Sequence, residues 1–182
     1  MLTTQKILSL ICCILLFFGD IQHVWSRSVE KQAVLTVLTL NIARFSHWPA
    51  SVFEKTDPVL NFCIIGDNIV QQSFENLNNK VVNQKRITII NLSRLRNLAQ
   101  CQLLYISDLE RIKLTSLLAE LKGQPILTVG ESLAFLAAGG MVALNKVDGK
   151  MQLNIHLSIV KQSGLVISSR LLKLANIVDF SN

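Results

Sequence analysis

The sequence has little of the equipment that metal- or nucleotide-dependent enzymes need. It contains three histidines in 182 residues. His47 and His156 lie far apart, and no cluster of His, Asp and Glu has the spacing of metal ligands. Gly66 follows an apolar run, but the further glycines of a dinucleotide-binding loop are missing. The sequence therefore predicts a chain without a metal or a cofactor.

Basic residues are scattered along the chain, although the formal net charge is +6. Aromatic residues make up only 6 % of the sequence and do not interleave with the basic ones in a stripe. Internal repeats and low-complexity linkers are also missing. This composition predicts one folded domain that does not bind nucleic acid.

One segment resembles the surroundings of a nucleophilic serine. Ser132 follows an apolar strand pattern and precedes a helical one, where a nucleophile elbow would place it. However, Ala134 stands where that motif has its last glycine, and the only acid and base that follow in the required order are Asp148 and His156. Both belong to one predicted hairpin, so they do not converge easily on the serine. We expect Ser132 to cap a helix and the protein to have no catalytic residue.

The N-terminus has the pattern of an export signal. Lys6 precedes the apolar run Ile7–Phe18, and a small residue, Ser26, lies two positions after Val24. The run is short for a membrane span. We predict a signal peptide over residues 1–26, cleaved after Ser26, and an exported domain over residues 27–182. A retained membrane anchor is the alternative.

Two cysteines remain after cleavage, Cys63 and Cys101. Two cysteines in an oxidising compartment usually pair. Their bridge would stabilise the fold by roughly 3–4 kcal/mol in the chain-entropy model. Two roles stay open at this point, a structural staple and a redox switch.

The segment NIARFSHWP, Asn41–Pro49, ends the first predicted helix, Val29–Phe45. Pro49 ends it because the residue before a proline avoids helical geometry. We predict that Arg44 and His47 lie at the rim of the helix end, where they can contact a partner. The residues expected on the apolar face of this helix are Val34, Val37, Leu38, Leu40, Ile42 and Phe45.

The remaining periodicity predicts alternating strands and helices. The predicted strands are Leu60–Gly66, Arg86–Asn91, Cys101–Ser107 and Pro125–Gly130. The predicted helices and helical turns are Asn68–Leu77, Leu109–Leu121 with Asp108 as N-cap and Gly123 as stop, Glu131–Ala137, Leu157–Ser163 and Ser169–Ile177. Alternating residues around Asp148-Gly149 predict a hairpin. The expected fold is a single α/β domain: a mainly parallel sheet flanked by helices on both faces, with a C-terminal antiparallel hairpin and a final helix.

Two further surfaces are candidates for binding. Gly66, Asp67 and Ser107 follow predicted parallel strands, and open α/β sheets bind ligands at such strand ends. These three residues predict a crevice for a small ligand. Leu165 and Ile167 follow Gly164 in a short apolar run, which is either an exposed contact patch or a further buried strand.

Several segments, taken in order, have a family likeness. They are NIARFSHWP (Asn41–Pro49), FCIIGD (Phe62–Asp67), CQLLYIS (Cys101–Ser107), ILTVG (Ile126–Gly130), GGMV (Gly139–Val142), NI (Asn154-Ile155) and SGLVISSRLLKLA (Ser163–Ala175). Together they resemble motifs of the YfiR-like periplasmic proteins, such as "NFAKFVEWP", "lCvlGdd", "ChilfiS" and "aGLkISSkLLkLA". The likeness covers nearly the whole exported chain.

The resemblance implies a periplasmic regulator rather than an enzyme. It implies binding to, and repression of, the periplasmic domain of an inner-membrane diguanylate cyclase, which lowers cyclic-di-GMP signalling and biofilm formation. It also implies an OmpA-like outer-membrane lipoprotein as a second partner, a homodimer, and activity tied to the disulfide state. Cys63 and Cys101 match cysteine-bearing positions of the family, whereas Ala143 and Leu144 stand where some members carry a second pair. The alternative function is a periplasmic sensor that binds a small ligand.

Overall fold

A computed structural model describes residues 28–53 and 58–180. The signal peptide predicted for residues 1–26 lies outside this part of the chain. The helices are α1 (28–44), α2 (Asn68–Glu75), α3 (Arg111–Glu120), α4 (Leu133–Ala137), α5 (Leu157–Gln162) and α6 (Ser169–Leu172), and short 3₁₀ turns span Ala50–Val52 and Leu98–Gln100. None of the helices within the described residues is long and apolar enough to cross a bilayer.

Within residues 28–53 and 58–180, ten strands form two sheets. They are β1 (Ser46–His47), β2 (Val59–Ile65), β3 (Val81–Val82), β4 (Lys85–Asn91), β5 (Leu103–Ile106), β6 (Leu127–Gly130), β7 (Val142–Val147), β8 (Lys150–His156), β9 (Val166–Ile167) and β10 (Asn176–Val178). The main sheet has the order β10-β8-β7-β6-β5-β2-β4-β3, and β1 pairs with β9 alone. The five strands β4, β2, β5, β6 and β7 run parallel, and β8 returns antiparallel to β7. The predicted α/β fold with its hairpin is confirmed.

Alternating side chains of β2 explain why helices cover both faces of the sheet. Phe62 and Ile64 belong to one apolar core, whereas Cys63 and Ile65 belong to the other. Helices α1 and α2 pack on the first core, and α3 and α4 pack on the second. A strand that is buried on both faces has a nearly continuous apolar sequence. This pattern identified β2 in the sequence.

Helix α1 presents a different face to the core than its sequence pattern predicts. Leu35 and Ile42 are buried in the first core, and the polar Thr39 of the same helix is also buried. Val34 and Val37, which we expected to face the core, are 44 % and 55 % exposed. The prediction was wrong for these two valines because α1 is apolar on more than one side, and packing against the sheet selects the side.

The start of α3 also departs from the prediction. Asp108 is not its N-cap: the residue has a φ of 52°, and Glu110 occupies the cap position without a side-chain hydrogen bond. Ile112, expected on the core side, is exposed. Gly123 has a φ of 78° after the last turn, as expected for a helix stop.

The final helix is present but shorter than predicted. Helix α6 ends at Leu172, and Asn176–Val178 form β10, which pairs parallel with β8. The predicted helix Ser169–Ile177 therefore contains a helix and part of an edge strand. Leu174, which we placed among its apolar residues, is exposed.

A disulfide joins Cys63 in β2 to Cys101, two residues before β5. Both cysteines are buried in the second core, and their Cα atoms lie 5.7 Å apart. The predicted pairing is confirmed. Because β2 and β5 are adjacent parallel strands, the bridge ties together two segments that are distant in the sequence.

We expect the double replacement Cys63→Ala with Cys101→Ala to lower the free energy of unfolding by about 3–4 kcal/mol, because the unfolded chain loses a cross-link. Equilibrium unfolding in urea measures this loss. In the wild-type protein, the buried bridge should resist thiol reductants until the fold opens. A loss below about 1 kcal/mol would contradict the role as a staple.

Candidate interaction surface and strand-end site

The carboxyl ends of three parallel strands meet at one edge of the sheet. Ile65 at the end of β2 is in register with Ile106 at the end of β5, and the amide of Ser107 donates to the carbonyl oxygen of Ile65 at 2.8 Å. Strand β6 ends beside β5, at Gly130. Gly66, Asp67 and Ser107, which were predicted to form a ligand crevice, therefore lie at the same edge.

Gly66 and Asp67 also build the start of α2. A Cβ atom at Gly66 would lie 2.7 Å from a methyl carbon of Val70, so the helix can approach only a glycine. The Asp67 carboxylate accepts a hydrogen bond from the Val70 amide at 2.9 Å and caps the helix. Both residues have a structural role, and their binding of a ligand stays a prediction.

Glu131 is the residue at this edge that the sequence reasoning did not assign. Its Oε1 accepts a hydrogen bond from the hydroxyl of the fully buried Tyr105 at 2.9 Å, and its Oε2 accepts one from Nζ of Lys31 in α1. Glu131 follows β6 as Asp67 follows β2, so the strand-end rule that selected Asp67 would also have found it. The carboxylate connects α1 to the sheet edge.

These contacts change the acidity of both groups. Burial alone would raise the pKa of Glu131, but hydrogen bonds from Lys31, Ser107 and Tyr105 and the charge of Lys31 outweigh burial and lower its pKa. Burial, followed by the charge of Glu131 and their hydrogen bond, raises the pKa of Tyr105. The result is a charged carboxylate held by a neutral phenol, a hydroxyl and an ammonium group.

Ser132 has the capping role that the sequence predicts. Its Oγ accepts a hydrogen bond from the Phe135 amide at 3.2 Å, at the N-cap of α4. Asp148 lies in the turn between β7 and β8, and His156 ends β8. Seven residues of extended strand span about 23 Å, so this aspartate and this histidine do not form a triad with Ser132. Among the described residues, no group of three His, Cys, Asp or Glu is placed to hold a metal ion.

The outward side of α1 carries an apolar stripe. Ala33, Val34 and Val37 are exposed, and Arg44 continues the same side two turns after Val37. We call these four residues the α1 outer face. The inward side also holds polar residues at helical spacing, Gln32, Thr36 and Thr39.

Arg44 is the last residue of α1 and His47 lies in β1 just after it, and their contact with a partner stays a prediction. Both are exposed, and Nη1 of Arg44 donates to the side chain of Asn41 at 3.3 Å. His47 pairs with Val166 in the two-stranded sheet of β1 and β9. The next residue, Trp48, is held by a hydrogen bond that its Nε1 donates to the carbonyl oxygen of Gln102 at 2.9 Å.

Leu165 and Ile167 do not form an exposed contact patch. They are 1 % and 5 % exposed and belong to the first core, while Val166 between them is 59 % exposed. The pairing of β9 with β1 turns alternate side chains inward. The apolar run is therefore the buried strand that was the alternative, and the partner-binding role predicted for Leu165 and Ile167 is wrong.

The chain was also compared with known proteins. A family model described as YfiR/HmsC-like matches residues 31–176, from α1 to the first residue of β10. No curated protein matches the chain.

Replacement of Glu131 by glutamine should make stability less sensitive to acid. The pKa of Glu131 is lower in the folded than in the unfolded chain. The carboxylate therefore adds its full share to the free energy of unfolding above its unfolded pKa, and this share is lost as the pH falls through the folded pKa. We expect Glu131→Gln to cost about 1–2 kcal/mol near neutral pH and to flatten the loss of stability below about pH 5. Urea unfolding at a series of pH values measures both effects.

The matched control is Glu120→Gln, a change of the same chemistry at an exposed position of α3. It should leave the profile unchanged. A Glu131→Gln profile parallel to that of the wild type would contradict the electrostatic role of Glu131.

Proposed function

This chain belongs to the YfiR/HmsC-like family, and we propose on that premise that it is a periplasmic, non-enzymatic repressor of a membrane diguanylate cyclase. The protein binds the periplasmic domain of the cyclase and holds the enzyme inactive, which lowers cyclic-di-GMP and biofilm formation. The family match over residues 31–176 is the observation that carries the proposal.

Repression of this kind needs no catalytic group in the repressor. A protein that binds the inactive state of its partner more tightly than the active state shifts the population toward inactivity. The size of the shift is limited by the difference between the two affinities. The proposal therefore requires a surface with enough binding energy, rather than a reactive site.

The α1 outer face is the surface that we assign to the cyclase. Val34 and Val37 together expose apolar area on a helix that is fixed to the sheet, and Arg44 adds a charge at its end. Fully burying a valine side chain contributes about 1.5 kcal/mol or more. A rigid helix loses little conformational entropy when it docks, which favours this face over a loop.

Two more partners follow from the family likeness. We propose a homodimer, and an OmpA-like outer-membrane lipoprotein that sequesters the repressor from the cyclase. The Cys63–Cys101 bridge acts in this scheme by keeping β2 and β5 together beneath the binding surface. Its burial supports a staple more than a rapidly exchanging redox switch.

Expression of the protein should lower the cellular level of cyclic-di-GMP, and the double variant Val34→Asp with Val37→Asp should not. Aspartates on the α1 outer face place two charges where apolar contact is required. Extraction of cells followed by mass spectrometry measures cyclic-di-GMP, and biofilm mass provides a second readout. Leu133→Asp is the matched control, because it adds a charge at another exposed apolar position, on α4.

The oligomeric state of the same variants distinguishes two possible roles of the α1 outer face, binding of the cyclase and dimerisation. Light scattering after gel filtration should give equal masses for the wild type and the double variant if the face binds the cyclase. A variant that becomes monomeric but still lowers cyclic-di-GMP would assign the face to the dimer instead. A folded double variant that represses like the wild type and keeps its mass would contradict the assignment.

A further inference from the structure

A groove of about 530 Å³ lies between helices α3 and α4, on the side of the sheet that holds the second core. It reaches the edge where β5 and β6 end, because Leu109 and Arg111 follow β5, Ser132 follows β6, and all three line it. Open α/β sheets bind ligands at such strand ends, and the volume lies within the range of small-molecule sites. None of the three residues of the crevice predicted from the sequence lines this groove.

The wall of the groove is mostly apolar, and its buried part is fixed. Leu114, Ala134 and Ala138 line the groove together with Phe135. Phe135 is only 3 % exposed, and a Cβ atom at Gly130 would lie 2.5 Å from its ring, so the ring is seated against a glycine backbone. A wall that is already ordered loses little conformational entropy when an apolar body packs against it.

Two hydrogen-bond donors of the lining are available to an anion. Arg111 is the charged residue of the lining, it is exposed, and its guanidinium makes no ion pair or hydrogen bond with another described residue. Ser132 accepts a hydrogen bond from the Phe135 amide, which leaves its hydroxyl proton for a second partner. Thr115, by contrast, already donates its hydroxyl proton to the carbonyl oxygen of Arg111 at 3.0 Å.

The acids near the groove leave this arginine as the surplus charge. Glu110 pairs with Lys113 at 3.0 Å, and Glu131 pairs with Lys31. Asp108 is exposed and opposes an anion, but it does not line the groove and makes no ion pair with the arginine. The charge of the lining itself is therefore positive, and a guanidinium binds a carboxylate through two parallel hydrogen bonds.

We propose that this groove binds a small carboxylate with an alkyl body. The guanidinium of Arg111 and the hydroxyl of Ser132 donate to the carboxylate, and the alkyl body packs against Leu114, Ala134 and Phe135. The small alanine side chains leave room for an unbranched chain between the helices. The inference does not depend on the proposed cyclase partner, since it rests on the groove and its side chains alone.

Three probes with the same alkyl chain test the proposal on the exported protein: hexanoate, hexanol and hexylamine. Titrations at pH 7 followed by NMR should show hexanoate binding with a Kd on the order of 1 mM, with shifts centred on Leu114 and Ala134. Hexanol should bind at least about three-fold more weakly, and hexylamine more weakly still.

Arg111→Gln tests the recognition of the carboxylate, and it leaves the core intact because Arg111 is exposed. It should weaken hexanoate binding about three-fold and leave hexanol nearly unchanged. Arg170→Gln, the same change at an exposed position of α6, is the matched control and should change neither.

Ala134→Leu tests the groove itself, because the larger side chain fills it from an exposed position of α4. It should weaken hexanoate and hexanol alike, by at least about three-fold, whereas Ala33→Leu on α1 should weaken neither. The proposal is overturned if hexanoate does not shift the groove resonances or if hexanol or hexylamine binds as tightly. It is also overturned if either groove variant has no more effect than its control.

Discussion

Burial of β2 on both of its faces is the constraint around which the sheet is arranged. Its side chains alternate between two cores, so helices must cover both sides, and its backbone pairs with β4 on one side and with β5 on the other. After β2, the chain forms β3 and β4 at one edge of the sheet. It then crosses to the other side of β2 as β5, and the later strands extend the sheet to the opposite edge. The disulfide between Cys63 and Cys101 holds β5 beside β2, because it joins β2 to the segment just before β5 inside the second core.

Two surfaces of this arrangement bear on function, the strand ends and the outer side of α1. At the strand ends, the polar side chains already have partners: Asp67 accepts a hydrogen bond from the Val70 amide, and Glu131 accepts one from Tyr105. On α1, by contrast, the apolar side chains of Val34 and Val37 are 44 % and 55 % exposed. A helix with polar residues on its buried side and valines on its outer side is better suited to hold a partner than to shield a core alone.

Local patterns predicted most of the fold, and packing between distant segments decided the rest. The runs of β2, β5 and β6 are mostly apolar, and Asp148-Gly149 marks the hairpin, so these elements could be recognised from the sequence. Helix α1 is apolar on more than one side, and only the sheet determines that Leu35 faces inward and Val34 outward. Strand β10 forms because its backbone can pair with the edge of β8. The sequence near Ile177 does not reveal this pairing. The position of Glu131 after β6 could have been recognised from the sequence, but its partners Lys31 and Tyr105 could not, because they are remote in the chain.

The most direct measurement is a pull-down of the exported protein from solubilised membranes, with mass spectrometry of the retained proteins and with the α1 double variant beside the wild type. We expect the wild-type protein to retain a membrane diguanylate cyclase and the variant with aspartates at Val34 and Val37 to retain none. Retention in oxidising and in mildly reducing buffer alike would agree with a buried bridge that acts as a staple. Recovery of no membrane protein by the folded wild-type protein in either buffer would contradict the central claim.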